Sequence, residues 1–287
     1  MSANNENIVS VNGLSKSFGR HEVLKGLNLE AARGQVIGIL GRNGTGKTTL
    51  FKILLDLIAP DQGSVRALGL SPDGSGKLRG LIGYVPEKPA FHGFMRVEEV
   101  LDFRAKLFPR WDMGKALELC KKLELDTKAK VKDLSKGNTA KLAWITAVAH
   151  NPELLLLDEP TSGLDYLVRD HILSGLVNEL ADGGKTIIIA NHRMGEMGGI
   201  LDKVCLLKDG VISAVYEAEF LKTETFRVSI RLENAELPEN AGVKLLSRSG
   251  SLAELAVFGR KNMENLKTGS EIQPMDLDTA FKALLGD

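Results

Sequence analysis

The sequence predicts an α/β fold built on a parallel sheet. Val36–Leu40 is short, apolar and bounded by glycine, as a buried strand would be, and Thr48–Ile58 follows with helical spacing of its apolar residues. Two further runs of strand length, Leu154–Leu157 and Thr186–Ala190, enclose a helical pattern at Leu167–Leu180. Strands that alternate with helices in this way assemble into parallel sheets.

The segments around this core predict additional layers. Ile8–Val11 and Val23–Leu29 alternate apolar and polar residues, which indicates half-buried strands near the start of the chain. The stretch Val97–Val131 has helical spacing throughout, with an interruption at Pro109, and Lys136–Ala149 has the same spacing. We therefore expect strands in the N-terminal part and a block of helices in the middle.

The chain changes character after about residue 216. Phe226–Leu232 and Leu252–Val257 have the composition of strands, and Asp276–Leu285 has the pattern of a terminal helix. This part of the sequence contains no motif that carries chemistry. We expect a main domain at residues 1–215 and a small C-terminal appendage at residues 216–287.

Composition limits the classes of function. The 37 basic residues balance 37 acidic ones, so the net charge does not indicate a nucleic-acid partner. Cys120 and Cys205, the only cysteines, lie in apolar segments, and we expect buried reduced thiols. Met1–Asn7 lacks the features of a secretory signal, and the aliphatic runs are too short to span a bilayer. A role at a membrane would therefore come through a partner.

A glycine-rich loop between the first buried strand and its helix predicts an ATP site. Gly41–Thr48 matches the pattern G-x-x-x-x-G-K-[ST], in which several backbone N–H groups and the start of a helix face one anion. Lys47 would reach the terminal phosphates, and Thr48 would offer its hydroxyl to Mg²⁺. A chance glycine-rich turn is disfavoured by the strand–loop–helix context. The loop residues expected to contact ATP are Gly41, Arg42, Asn43, Gly44, Thr45, Gly46, Lys47, Thr48 and Thr49.

Two acidic residues follow the next buried strand. Leu154–Leu157 would deliver Asp158 to the edge of the sheet, where its carboxylate could hold the hydrated magnesium ion. Glu159 comes next and could orient the attacking water and accept its proton. An aliphatic run that ends in two acids is by itself often a solvated strand end, but the upstream glycine loop disfavours that interpretation.

The motifs together resemble those of the ABC-type ATPases. Leu134–Asn138 (LSKGN) is similar to the family's signature, L-S-G-G-Q, and it lies shortly before Asp158-Glu159-Pro160, as in that family. Thr161–Asp165 looks like the D-loop, with Asp165 as its last residue, and His192 resembles the switch histidine. The resemblance covers about residues 6–215, with the motifs in the family's order.

This resemblance implies the fold in more detail. It implies a P-loop NTPase with a RecA-like parallel sheet core, an N-terminal antiparallel β part and a helical subdomain at about residues 88–151. Residues 216–287 would form a small α+β appendage. His192 would contact the γ-phosphate, and Phe18, in Ser17-Phe18-Gly19, would stack on adenine.

The signature implies a dimer. Ser135 precedes a helix and is a candidate N-cap, and Gly137 would leave room for the close approach of a phosphate. In the family this element faces the ATP of the other subunit. The resemblance therefore implies a head-to-tail homodimer or heterodimer with two ATP molecules between the protomers. Lys136 and Asn138 belong to the same element.

Three positions depart from the family pattern. Glu87 stands where the family usually has a glutamine that contacts magnesium, and a carboxylate can also bind Mg²⁺. Its negative charge near the phosphates could change metal affinity or coupling to the membrane partner. Lys136 adds a positive charge to the signature, and Asn138 is shorter than the usual glutamine. Because Ser135 and Gly137 are retained, we expect activity to survive.

The resemblance implies an ATP-binding and ATP-hydrolysing subunit that powers a membrane ABC transporter. The chain would be cytoplasmic and peripheral on the inner face of the cell membrane, bound to separate transmembrane permease subunits. Phe91–Val100 resembles the stretch that receives the membrane partner. The tail that ends in Asp276–Asp287 resembles those of small bacterial export-type cassettes, which favours export.

Two other functions stay open at this stage. A soluble ABC ATPase could act on ribosomes, DNA repair or iron–sulfur assembly, although the chain has one cassette and no long heptad run. A degenerate regulatory cassette would bind ATP without turnover, but Lys47, Asp158, Glu159 and His192 are all present. The sequence leaves open the transported substrate, the direction of transport and the role of residues 216–287.

Overall fold

The computed structural model describes residues 7–181, 184–192, 195–231, 242–264, 266 and 271–286. The strands within these residues are β1 (Asn7–Phe18), β2 (His21–Ala32), β3 (Val36–Leu40), β4 (Gln62–Ala67), β5 (Ile82–Val85), β6 (Leu154–Asp158), β7 (Thr186–Asn191), β8 (Lys203–Lys208), β9 (Val211–Glu217), β10 (Thr225–Arg231), β11 (Val243–Ser249), β12 (Leu252–Phe258) and β13 (Glu271–Pro274). The helices are α1 (Lys47–Leu54), α2 (Val97–Leu107), α3 (Met113–Lys122), α4 (Lys136–Val148), α5 (Tyr166–Ala181), α6 (Ala218–Thr223), α7 (Arg260–Glu264) and α8 (Leu277–Leu285).

A six-stranded sheet forms the centre of the molecule and confirms the predicted α/β class. Its order is β5-β6-β7-β3-β8-β9, with parallel pairing from β5 to β8 and an antiparallel edge strand β9. The parallel arrangement places the carboxyl ends of β3, β6 and β7 side by side. Ligands of open α/β sheets bind at this edge, so the topology fixes where the site must lie.

The central sheet divides two hydrophobic cores because its side chains alternate between its faces. Leu154 and Leu156 of β6 join the core formed with α1 and the three-stranded antiparallel sheet β2-β1-β4. Leu155 and Leu157 join the core formed with α2–α5 and α8. This explains why the strand is apolar at every position, as expected for a strand covered on both faces.

The predicted helical stretch Val97–Val131 is wrong in its length. It forms two helices, α2 and α3, followed by irregular backbone and a 3₁₀ turn at Val131–Asp133. Pro109 follows the end of α2, and Asp112 starts α3 by accepting a hydrogen bond from the Lys115 N–H at 2.9 Å. The predicted helix Thr48–Ile58 likewise ends early, at Leu54, and Asp56 shortly after it has a left-handed backbone conformation with φ 56°.

The last strand of the central sheet, β9, runs to Glu217, slightly past the expected boundary at residue 215. We call α6–α8 and β10–β13 the C-terminal unit. Its sheet has the order β11-β12-β10-β13, in which β10 and β12 are predicted strands and β11 and β13 are not. Leu232, the end of the first prediction, lies outside the described residues. Helix α8 buries Phe281 in the same core as α2–α5, so the unit packs directly on the ATP-site half of the chain.

Both cysteines are buried, as predicted. Burial raises the pKa of the Cys120 thiol to about 11 and that of Cys205 to about 12, so both stay protonated at neutral pH. In the part of the chain that the structure describes, no helix combines the length and the apolar character needed to cross a membrane.

Candidate functional site

The glycine loop joins the end of β3 to the start of α1. Gly46 has φ 109°, and a Cβ there would lie 2.6 Å from Leu24 Cδ2, so only glycine fits. The loop curls around its own lysine. The buried Lys47 Nζ donates to the Gly41 carbonyl at 2.7 Å and to the Arg42 carbonyl at 3.1 Å. A positive charge is thereby held at the first turn of α1, where backbone N–H groups favour an anion.

Asp158, at the end of β6, meets the first turn of α1. The Thr48 hydroxyl donates to Asp158 Oδ2 at 2.6 Å, while Asp158 Oδ1 is buried with no hydrogen-bond partner among the described residues. Burial raises the pKa of Asp158; the bond from Thr48 opposes this rise, and the negative charge of Glu159 adds to it. One hydroxyl and one carboxylate therefore lie together beside the phosphate loop, as the sequence predicted.

Glu159 is held from three sides. Its backbone has φ 49°, a left-handed conformation that is uncommon for residues other than glycine, and its N–H donates to the Ala190 carbonyl on β7 at 2.8 Å. Its buried carboxylate lies 3.4 Å from Lys47 Nζ through Oε1 and 2.5 Å from His192 Nδ1 through Oε2. Strained backbone of this kind clusters at functional sites.

These side chains line one cleft of about 430 Å³. Phe18 is half exposed at its mouth, at the end of β1, and Lys16 Nζ lies 5.7 Å from the centre of its ring. The predicted residues that line this cleft are Phe18, Asn43, Gly44, Gly46, Lys47, Thr48, Thr49, Glu87, Asp158 and Glu159. His21 and Val23 line it too. No sequence motif indicated them, but His21 pairs with Phe18 across the β1–β2 hairpin.

Three predicted loop residues lie behind this lining. Gly41 and Arg42 hold Lys47 through their carbonyl groups, and the Thr45 hydroxyl donates to the Arg42 carbonyl at 2.9 Å. The Arg42 guanidinium donates to the carbonyl of Gly286, at the end of α8, at 2.9 Å. The side chain of Arg42 therefore contacts the C-terminal unit, an arrangement that the loop motif did not indicate.

Glu87 and Lys136, two departures from the family pattern, line a second cleft of about 280 Å³. Glu159 and Ser162 line this cleft as well, so it connects the region after β5 with the ATP site. The Lys136 ammonium lies against Gly163, where a Cβ would overlap it. The extra positive charge of the signature thus lies beside the D-loop of its own chain.

The signature forms the start of α4. Ser135 is its N-cap, as predicted, and its hydroxyl accepts a hydrogen bond from the Asn138 N–H at 3.1 Å. Gly137 is buried, and a Cβ there would lie 2.8 Å from Val168 Cγ2 on α5. A side chain at this position would therefore crowd α5 inside this chain. Asp165 accepts from the Val168 N–H at 3.0 Å and so stabilises the start of α5.

The comparison with known proteins agrees with this site. A family model described as ABC transporter matches residues 24–162. The bacitracin transport ATP-binding protein BcrA of Enterococcus faecalis is 34% identical over 209 residues, which cover 71% of this chain and 68% of that protein. The Nod factor export ATP-binding protein I of Ralstonia nicotianae is 34% identical over 210 residues, which cover 71% and 65% of the two chains.

A solved structure resembles the same part of the molecule. The dimeric ATP-binding cassette MJ0796, in a post-hydrolysis state with ADP and phosphate, matches with a TM-score of 0.67 at 25% identity, covering 73% of this chain and 98% of that chain. The phosphate loop, the acid pair and these relatives together identify the chain as a member of the ABC transporter family, and it is an ATP-binding subunit that hydrolyses ATP.

Proposed function

We propose that this chain powers an export-type membrane transporter from the cytoplasmic face, bound to separate transmembrane permease subunits. The relatives named for bacitracin transport and Nod factor export support this proposal, since each aligns with 71% of the chain. We also propose the division into an ATPase domain at residues 1–215, with its helical subdomain at about 88–151, and an appendage at 216–287. The observation that carries the proposed chemistry is the buried Glu159 carboxylate between Lys47 and His192.

Mg²⁺ is the proposed cofactor. The residues fit it, because the Thr48 hydroxyl and the Asp158 carboxylate are adjacent and Asp158 Oδ1 is a buried oxygen without a partner among the described residues. No group of three His, Cys, Asp or Glu side chains that could hold a metal occurs in the described ranges, so phosphate and water oxygens would complete the shell. When bound, the ion would neutralise charge on the β- and γ-phosphates. Glu87 lines the same cleft and is the third proposed metal contact.

The proposed hydrolytic step uses Glu159 as the base. Its carboxylate accepts a proton from the attacking water, and the contacts with Lys47 and His192 hold it in place. Lys47 binds the terminal phosphates from the loop side. Because His192 Nδ1 is engaged by Glu159, Nε2 is the nitrogen that contacts the γ-phosphate.

The remaining contacts with ATP come from two surfaces. Phe18, exposed at the mouth of the cleft, stacks on the adenine ring. The N-terminus of α4, where Ser135 and Lys136 are exposed, binds the ATP of the partner subunit through its backbone N–H groups; the proposed contacts are Ser135, Lys136, Gly137 and Asn138. In the described residues that line the phosphate cleft, none comes from 135–138, in keeping with a site completed by another copy.

The test of Glu159 compares Glu159→Gln with Glu153→Gln, an exposed glutamate that pairs with Arg33. We expect Glu159→Gln to lower kcat by about 100-fold or more while ATP affinity changes little, because the base is lost but the phosphate contacts stay. With ATP, the variant should elute as a dimer in size-exclusion chromatography. Equal phosphate release by wild type and Glu159→Gln would reject the assignment.

The membrane role has a separate test. Phe94 is 77% exposed within the stretch expected to receive the membrane partner, just before α2. We expect Phe94→Asp to leave the ATPase rate of the isolated chain unchanged and to abolish its co-purification with the permease encoded by a neighbouring gene. If wild type also fails to co-purify from membranes, the transporter assignment loses its support and a soluble ABC ATPase becomes the better hypothesis.

A further inference from the structure

Helix α8 and the glycine that follows it contact two segments next to predicted ATP-site residues. Near its start, Asp278 Oδ1 accepts a hydrogen bond from the Gly195 N–H at 3.0 Å. After its end, the Gly286 carbonyl accepts from the Arg42 guanidinium at 2.9 Å. Gly195 lies three positions after His192, and Arg42 belongs to the phosphate loop. One helix of the C-terminal unit therefore touches the two loops that hold the phosphate-binding residues.

The fit at the start of α8 is close. Gly195–Met197 forms a 3₁₀ turn, which we call the switch turn, and Gly198 follows it. A Cβ on Gly195 would overlap the Asp278 carboxylate, and a Cβ on Gly198 would overlap the Leu277 side chain. Two glycines thus let consecutive residues of α8 lie directly against the backbone of the switch turn.

The helix itself is well anchored. Asp276 caps it by accepting hydrogen bonds from the Thr279 N–H at 2.9 Å and the Thr279 hydroxyl at 2.7 Å, and these bonds lower the pKa of Asp276. Ala280 and Phe281 are buried in the core shared with α2–α5, and Met197 of the switch turn is buried in it as well. Asp278 therefore contacts the switch turn from a rigid support.

Asp278 also borders the catalytic residues. It lines a cleft of about 200 Å³ together with His192, Asn191 and the D-loop residues Thr161 and Ser162. Among the contacts described above, only one holds the His192 ring: its Nδ1 lies 2.5 Å from Glu159 Oε2. The described backbone resumes at Gly195, and the bond from its N–H to Asp278 holds it there.

We propose that Asp278 is a positioning residue for ATP hydrolysis: it fixes the switch turn, and through it His192, while Gly286 holds Arg42 of the phosphate loop. The C-terminal unit thereby acts on the hydrolytic step. This inference rests on the proposed contact of His192 with the γ-phosphate. It assigns a role to a helix that follows the ATPase motifs by more than 80 residues in the sequence.

The experiment measures kcat and KM for ATP in three variants of the full chain. Asp278→Ala removes the acceptor for Gly195, Asp278→Asn keeps an amide oxygen in its place, and Lys282→Ala changes an exposed residue of the same helix. We expect Asp278→Ala to lower kcat about fivefold with KM within about twofold, and the other two variants to stay within about twofold of wild type. A single exposed hydrogen bond contributes only about 1 kcal/mol, so all three should fold with similar Tm.

Two further measurements separate positioning from a general structural effect. Hydrogen exchange of peptides that cover the switch turn should rise in Asp278→Ala and stay at the wild-type level in Asp278→Asn. In a His192→Ala background, Asp278→Ala should change the residual kcat by less than about twofold, because residues that act through one group are not additive.

The outcomes that overturn the proposal are distinct. The proposal is rejected if Asp278→Ala has the kcat and the hydrogen exchange of wild type. It is also rejected if Asp278→Ala lowers kcat equally in the His192→Ala background, or if the fall in kcat accompanies a lowered Tm. If His192→Ala keeps the full rate, the proposed role of His192 fails and this route fails with it. If His192→Ala is slow while Asp278→Ala is fully active, only the route through α8 is rejected.

Discussion

At the scale of single residues, Glu159 shows how the fold fixes the carboxylate that we propose as the base. Its left-handed backbone and the hydrogen bond from its N–H to the Ala190 carbonyl set the direction of its side chain. Lys47 and His192 then hold the two carboxylate oxygens. The unfavourable backbone is stabilised by the pairing of β6 with β7 on the adjacent residues.

Phe18 offers a test of nucleotide recognition. We expect Phe18→Ala to raise the Kd for ATP about tenfold, because stacking of an aromatic side chain on a base contributes about 1–3 kcal/mol. Phe18→Tyr keeps the ring and should bind as wild type does. Fluorescence titration with a labelled ATP analogue measures both values, and an unchanged Kd in Phe18→Ala would place the adenine elsewhere.

His150 predicts a pH dependence of stability. It is buried with its ring 4.4 Å from that of Phe108, and burial lowers its pKa to about 4. Between about pH 6.5 and pH 4, His150 is protonated in the unfolded chain and neutral in the folded chain. The free energy of unfolding therefore falls as the pH decreases through this window. The loss amounts to about 2 kcal/mol at pH 5.

The matched variant is His150→Phe, which keeps a ring against Phe108 and cannot titrate. The fall in Tm between pH 7.5 and pH 5 should be smaller in this variant than in wild type by roughly 4–6 °C. Differential scanning calorimetry measures it at each pH. An equal fall in both proteins would show that His150 does not titrate in this range.

The site was predictable residue by residue where a local motif sets the chemistry. The loop pattern and the strand that ends in two acids placed Lys47, Thr48, Asp158 and Glu159 in one cleft. The contact from Arg42 to Gly286 was not predictable, because the two residues are 244 positions apart and no local pattern links them. His21 was missed for a related reason: only its pairing with Phe18 across the hairpin brings it to the cleft.

At the scale of elements, the junction of α4 and α5 changes the interpretation of the signature. A Cβ on Gly137 would point towards Val168 and not towards solvent. The glycine therefore allows two helices to approach each other. If this packing role is the whole role of Gly137, the signature would bind a phosphate through the backbone N–H groups at the start of α4.

Gly137→Ala should therefore be rescued by a second change on α5. We expect the single variant to lose about 1–3 kcal/mol of stability through overpacking against Val168. Gly137→Ala combined with Val168→Ala should recover both Tm and ATPase rate, because the new methyl group occupies the space that Val168 leaves. Val168→Ala alone is the control.

A different result would restore the earlier interpretation. If the double variant recovers Tm but not the ATPase rate, the missing side chain at Gly137 serves the nucleotide directly.

The same scale shows why some elements were predicted and others were not. Buried strands such as Leu154–Leu157 stand out because both faces are covered, and their boundaries were nearly right. The interruption of the region Val97–Val131 at Pro109 was predicted, but the end of α3 at Lys122 was not, since buried apolar residues continue beyond it at Leu123 and Leu125. β13 was missed because all four of its residues are exposed and it lacks an apolar face.

At the scale of the whole molecule, Ser135 is exposed and lies outside the lining of the phosphate cleft of its own chain. A site completed by a second copy predicts complementation between two inactive variants. Lys47→Ala removes the phosphate contact, and Ser135→Arg blocks the signature. A mixed dimer of the two would keep one site with an intact Lys47 and an intact Ser135.

We expect an equal mixture of these variants to recover up to about a quarter of the wild-type rate, since half of randomly formed dimers are mixed and each has one intact site. The control mixes Lys47→Ala with the double variant that carries both changes, in which every site lacks Lys47. Steady-state phosphate release measures the rates. If the first mixture is as inactive as the control, each chain completes its own site.

The way the C-terminal unit packs on the rest of the molecule could not be predicted from the sequence, for a physical reason. A terminal helix was predicted at Asp276–Leu285, and the structure confirms it as α8, Leu277–Leu285, with Asp276 as its N-cap. The position of α8 on the molecule depends on two glycines, Gly195 and Gly198, whose missing side chains make room for it. A glycine in a sequence indicates that space is needed, but it does not say which neighbour will occupy it.

The burial of the two thiols bears on how motion in this protein can be followed. Maleimide reagents react with the thiolate, and the raised pKa values of Cys120 and Cys205 leave almost none at neutral pH. The natural chain should therefore behave as a cysteine-free background for labelling. A single cysteine introduced at Tyr166, which is 75% exposed beside the D-loop, would carry the dye or spin label. Distances between two such labels would then report the approach and separation of paired chains during turnover.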